Sequence, residues 1–167
     1  MGARRLWRKR GGAGPNRTRD RQLRPWVFQH LLLALQADAQ LAIGQPEAAL
    51  ASVAGGLKAV EKAGGAPLAA ELWRLKGEAL LAETASEAET AMQQGIAVAR
   101  QQNAKSWELR GAMSLARLWA EQGRRSEARD LLAPVYAWFT EGFDTADLKD
   151  AKTLLDKLTE PAIAAEG

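Results

Sequence analysis

The chain contains no cysteine. That absence excludes disulfides, thiolate zinc sites and cysteine nucleophiles. Histidine occurs once, as His30, so a histidine metal site or a Ser–His–Asp arrangement lacks its partners. Aromatic residues make up 6% of the chain and β-branched residues are few, which argues against a sheet. No apolar run approaches the ~18–20 residues of a membrane span. The basic N-terminus is followed by no uninterrupted apolar segment, which argues against a secretory signal. The phosphate-cradling sequence G-x-x-x-x-G-K-[ST] does not occur. GGAGPNR at residues 11–17 has the glycines but neither a Lys-Ser/Thr pair nor a preceding strand. Carboxylates such as Asp38, Glu78 and Glu121 recur at helical intervals, as on a solvated face, and nothing marks a catalytic pair. These absences predict no catalytic residue, no cofactor and no metal, in a cytoplasmic protein without a membrane segment.

What is present is helix-forming. Of 167 residues, 47% are hydrophobic, and alanine and leucine, both strong helix formers, dominate them. The length fits one domain. Charge divides the chain unevenly. Residues 1–24 hold nine Arg and Lys against Asp20 alone, a net of +8, while the whole chain is +3, leaving −5 for residues 25–167. Residues 1–25 therefore read as a disordered basic tail, too poor in large apolar side chains to offset the entropy of ordering. Such an arm can attract phosphate charge. Trp7 alone is no stacking platform, so a tail without an evolved role is the simpler reading than nucleic-acid binding.

The rest is organised around ELWRLKGEALL, residues 71–81. Trp73, Gly77 and Leu80 lie at i, i+4 and i+7 on one helical face, the spacing that opens a tetratricopeptide unit. Glycine costs about 1 kcal/mol in a helix interior, so Gly77 predicts close approach of a paired helix. Residues 86–100 supply that partner, with Ala88, Met92, Ile96 and Ala99 on one stripe and overlapping capping boxes at Thr84/Glu87 and Ser86/Glu89.

The same unit is written before and after. Residues 26–43 predict a helix with Phe28, Leu32, Leu35 and Ala39 inward, stopped by Gly44. A second helix opens at Pro46 and turns Ala49, Val53, Leu57 and Val60 inward; Gly64-Gly65 ends it and Pro67 starts the next. The third pair spans 105–122, with Trp107, Gly111, Leu115, Leu118 and Trp119, and 125–140, with Ala128, Leu131, Leu132, Val135, Tyr136 and Phe139. Pro134 should kink the latter. A last helix, 146–158, capped by Asp144 or Thr145, carries Leu148, Ala151, Leu154, Leu155 and Leu158. The small residues Ala49, Ala88 and Ala128 recur at intervals of 39 and 40, longer than the ~34 of the standard unit. The expected fold is all-α: a tetratricopeptide-like α-solenoid of three helix pairs and a C-terminal capping helix over residues 26–158, with 159–167 a frayed tail. Trp73, Trp107, Trp119 and Trp138 are expected in its core.

Residues 104–158, AKSWELRGAMSLARLWAEQGRRSEARDLLAPVYAWFTEGFDTADLKDAKTLLDKL, together with ELWRLKGEALL, resemble the C-terminal end of a bacterial group of multidomain proteins. These combine a class III adenylate/guanylate cyclase or a winged-helix regulator with a signal-transduction ATPase and a C-terminal tetratricopeptide array. The likeness covers about residues 27–158. It implies an interaction or sensing array for a protein or peptide partner; no cyclase domain fits in this length and none of the family's catalytic residues carries over. The alternative is a detached structural remnant of a truncated or split gene, without activity of its own.

By repeat register the first helix of each pair lines an inner wall. Its expected residues are Leu31, Ala34, Asp38, Arg74, Glu78, Leu81, Arg110, Met113, Arg117 and Glu121. Asp38, Arg74, Glu78, Arg110, Met113, Arg117 and Glu121 are the candidate partner-binding residues. The competing reading is a solvated face laced by pairs such as Arg74 with Glu78.

Overall fold

The computed structural model describes residues 26–62 and 67–160. Among them are seven α-helices and no strand. They are α1 (Trp26–Ala42), α2 (Pro46–Lys62), α3 (Ala69–Leu80), α4 (Ala85–Gln101), α5 (Lys105–Glu121), α6 (Arg125–Ala137) and α7 (Ala146–Thr159). The basic arm, the Gly64-Gly65 stop and residues 161–167 lie outside the described residues.

Glycine and proline set the boundaries. Gly44, Gly123 and Gly142 adopt positive φ, between 73° and 80°, a conformation glycine reaches without a Cβ penalty. Asn103 does the same after α4, at φ 53°, as a short polar side chain allows. Pro46 opens α2, where a missing N–H costs nothing. Thr84 and Thr145 occupy the N-cap positions of α4 and α7, but neither side chain caps. The expected capping boxes at Thr84 and Ser86 therefore do not form.

The helices pair as hairpins, α1 with α2, α3 with α4 and α5 with α6, and α7 packs on α6 and α5. Between hairpins, α2 meets α3 and α4 meets α5. In addition α1 touches α3, α3 touches α5, and α5 touches α7. The backbones of α2 and α4, and of α4 and α6, do not come close, and across the second gap Arg124 at the foot of α6 reaches Glu89 of α4. The odd-numbered helices thus share a continuous wall, and the even-numbered ones stand apart.

Close helix approach explains the interior glycines. A Cβ on Gly77 would lie 2.5 Å from Met92 Cγ and 3.0 Å from the Ala88 carbonyl oxygen. On the facing helix, a Cβ on Gly95 would lie 2.9 Å from the Ala70 carbonyl oxygen and 3.3 Å from the Arg74 nitrogen. Gly56 admits Leu72 in the same way, at 2.7 Å. The expected stripe of α4 is buried throughout, as are Ala49, Val53 and Val60 on α2.

Two expectations are corrected. The buried face of α1 is His30, Ala34 and Ala37, while Phe28, Leu32, Leu35 and Ala39, expected inward, are exposed. Its small alanines let α2 come close, and the larger side chains point away. Trp138 is 58% exposed rather than in the core. Helix α6 contains Pro134 and ends at Ala137, so Trp138 falls on the cap, edge-on to Phe139. Trp73, Trp107 and Trp119 are half-buried.

Candidate functional site

Glu71, Arg74 and Glu78 follow one another at i, i+3 and i+7, so α3 carries them on a single face. The Arg74 guanidinium grips Glu71 with two parallel bonds: Nε donates to Oε2 at 2.9 Å and Nη2 to Oε1 at 2.8 Å. This fork is the strong geometry for an arginine–carboxylate pair. Arg74 Nη1 also donates to Glu78 Oε1 at 3.3 Å, and Nη2 reaches Asp38 Oδ1 of α1 at 3.5 Å. From α5, Arg110 Nη2 lies 3.0 Å from Glu71 Oε1, and Ser114 Oγ donates to Glu78 Oε1 at 2.6 Å. One polar network therefore ties three hairpins together through their odd-numbered helices.

Its centre is dry. Glu71 is 5% and Arg74 9% exposed. Burial works against the Arg74 charge, but hydrogen bonding and attraction from Glu71, with Glu78 and Asp38, outweigh it and hold the pKa above its ordinary value. Arg74 is cationic at every working pH.

The structure divides the expected wall residues into two groups. Asp38, Arg74, Glu78 and Arg110 come together in the network. Arg74 is consumed by it, so it ties the wall together from beneath rather than presenting charge to a partner. Met113 is buried at 5% exposure, as is Ala34. The surface itself offers Leu31 and Leu81, Asp38, the outer part of Arg110, and the exposed Arg117 and Glu121. Arg110 also lies over the Trp107 ring at 5.5 Å. Arg117 faces α7, where it borders a shallow depression with Asp150, Thr153 and Lys157.

Glu71 and Ser114 were not anticipated. The i, i+3 spacing of Glu71 and Arg74 was the available signal for the first. Ser114 depends on how closely α5 stacks on α3.

A second buried carboxylate, Glu108 at 4% exposure, joins α4 to α5. It accepts from Arg100 Nε at 2.8 Å and Lys105 Nζ at 2.6 Å. Burial pushes its pKa up, but the bonds from Arg100 and Lys105 prevail and hold it below the ordinary carboxylate value. At the α5–α6 turn, Arg124 reaches Glu89 and Glu127 and covers the Trp119 ring at 4.4 Å.

Among the described residues no cluster of His, Asp or Glu is arranged to hold a metal, and no helix is long and apolar enough to cross a membrane. His30 is buried, and its Nδ1 has no hydrogen-bond partner there. On the side of α3 away from Arg74, a hollow of about 620 Å³ opens between α2 and α3, lined by Leu50, Val53, Leu57, Trp73 and Lys76. Comparisons with protein-family models, curated proteins and solved structures find no match for this chain.

Proposed function

We propose that the chain is a non-enzymatic protein- or peptide-interaction module. In this reading it is a short tetratricopeptide-like α-solenoid that works in the cytoplasm. It serves a signalling system of the kind suggested by its likeness to the arrays that follow cyclase and ATPase domains. The observation that carries the reading is the wall itself: the first helices of successive hairpins touch one another, the second helices do not, and a buried ion network fixes the spacing of the first helices. A rigid wall with partly free cationic groups suits an extended or helical segment. Arg110 and Arg117 stand seven residues apart on α5, two turns along one face. Among the described residues Arg117 makes no ion pair, and Arg110 makes one, with Glu71. They favour a ligand carrying carboxylates, with Leu31 and Leu81 offering apolar margins.

The test is selection from a random-peptide display library on the purified chain. Acidic peptides should be enriched, and Arg117→Glu should weaken their binding at least tenfold while the thermal midpoint holds. Enrichment of no peptide, or binding indifferent to R117E, would refute the proposal. Arg74 is unsuited to this test because its removal strands Glu71.

A further inference from the structure

The residues that α1 leaves exposed form an ordered line. Phe28, Leu32, Leu35, Ala39 and Ile43 are spaced i, i+4, i+7, i+11 and i+15, a single stripe along the helix. Phe28, Leu32, Leu35 and Ile43 are 47%, 64%, 59% and 68% exposed, and Leu31 at the margin is 37%. Together these side chains open roughly 500 Å² of apolar surface, near the upper end for the largest patch on an ordinary monomer.

The internal repeat identifies what such a stripe is shaped to meet. With Ala37 aligned on Gly77, residues 32, 35 and 39 fall in register with Leu72, Leu75 and Ala79 of α3. Those three are buried to 1% or less. There they form the face that α3 turns toward α1 and α2, with Leu72 seated on Gly56. The α1 stripe therefore occupies the position of an interhelix contact surface, and among the described residues no hairpin precedes it.

We propose that a second copy of this chain covers the stripe, α1 against α1, about a two-fold axis. Three observations select this occupant. First, the stripe and its rim of Gln29 and Gln36 carry no charge, and the only Asp, Glu, Lys or Arg on α1 is Asp38, which is directed toward Arg74. Two stripes can meet without like-charge repulsion. Second, the other end of the stack is closed. The outer face of α7 presents Lys149, Asp150, Lys152, Asp156 and Lys157, all exposed, so a head-to-tail contact would bury charge against the apolar stripe. Only an isologous pairing satisfies α1 and stops at two chains. Third, the apolar stripe alone supplies more than half of the ~800 Å² per partner of a stable interface.

The experiment uses the full chain. Light scattering after gel filtration should give twice the 18.1 kDa chain mass. The double variant Leu32→Glu/Leu35→Glu should return it to the single-chain mass with helical circular dichroism unchanged, since both positions are exposed. Because the chain has no cysteine, Leu35→Cys places one thiol near the middle of the stripe, close to the axis. Under mild oxidation it should cross-link at least tenfold faster than Ser86→Cys at the start of α4. A single-chain mass at every concentration overturns the proposal. So does a dimer that survives L32E/L35E, or one that cross-links equally through both positions.

Discussion

Replacing Gly95 by alanine separates two opposing effects. Alanine is about 1 kcal/mol better than glycine in a helix interior, so propensity alone predicts stabilisation. The structure predicts the reverse. The new Cβ would stand 2.9 Å from the Ala70 carbonyl oxygen and 3.3 Å from both the Arg74 nitrogen and Trp73 Cβ. Two of these three neighbours are backbone, so relief requires α3 and α4 to move apart. Overpacking of this kind costs typically 1–3 kcal/mol, occasionally more. Relief against backbone puts the cost at the upper end of that range, so the net loss should be about 2 kcal/mol after the propensity gain. At roughly 4 °C per kcal/mol for a domain of this size, the thermal midpoint should fall by about 8 °C. Gly55→Ala is the control. Its Cβ would meet only Leu33 Cδ1 at 3.4 Å and Cδ2 at 3.8 Å, ordinary contacts, so it should gain about 0.5–1 kcal/mol. Both variants are read by thermal and urea unfolding followed by circular dichroism. If G95A stabilises the chain as much as G55A does, the tight α3–α4 packing described above is wrong.

Arg74→Met should cost about 3–5 kcal/mol, because it leaves Glu71 buried with only Arg110 in reach. Adding Glu71→Gln should restore part of that loss, and urea midpoints of the single and double variants test the coupling. Glu108 yields a pH dependence. Its folded pKa is below the ordinary 4.5, so its contribution is complete above that value and is lost as pH falls through the folded one. The stability gap between the native chain and Glu108→Gln should therefore hold steady near neutrality and shrink below pH 4.5. A gap constant into acid would contradict the Arg100–Glu108–Lys105 arrangement.

Much of the architecture could be read in advance because local chemistry dictates it. Gly44, Pro46 and Gly123 place helix ends within a residue or two, and the small-large alternation of Ala88, Met92, Ile96 and Ala99 marks a packed face. Helix α1 misled for a physical reason. Side-chain size signals a face that avoids water, whether it packs within the chain or points outward. Here Ala34 and Ala37 do the interior packing, and Leu32 and Leu35 do not. The wall was partly legible for the same kind of reason. The Arg74–Glu78 pair follows from spacing within one helix. The reach of Arg110 to Glu71 and of Ser114 to Glu78 follows from the distance between hairpins, which periodicity along a single helix does not encode.

The asymmetry between touching odd helices and separated even ones has a mechanical consequence. A stack whose first helices touch and whose second helices do not bends most easily about the first-helix edge, as a book opens from its spine. The ion-laced edge resists stretching, whereas widening the gaps between α2, α4 and α6 strains only the Arg124–Glu89 pair at the foot of α6. Flexure should therefore fan the outer helices while the inner edge keeps its length, so the protein can alter its curvature without dismantling any hairpin.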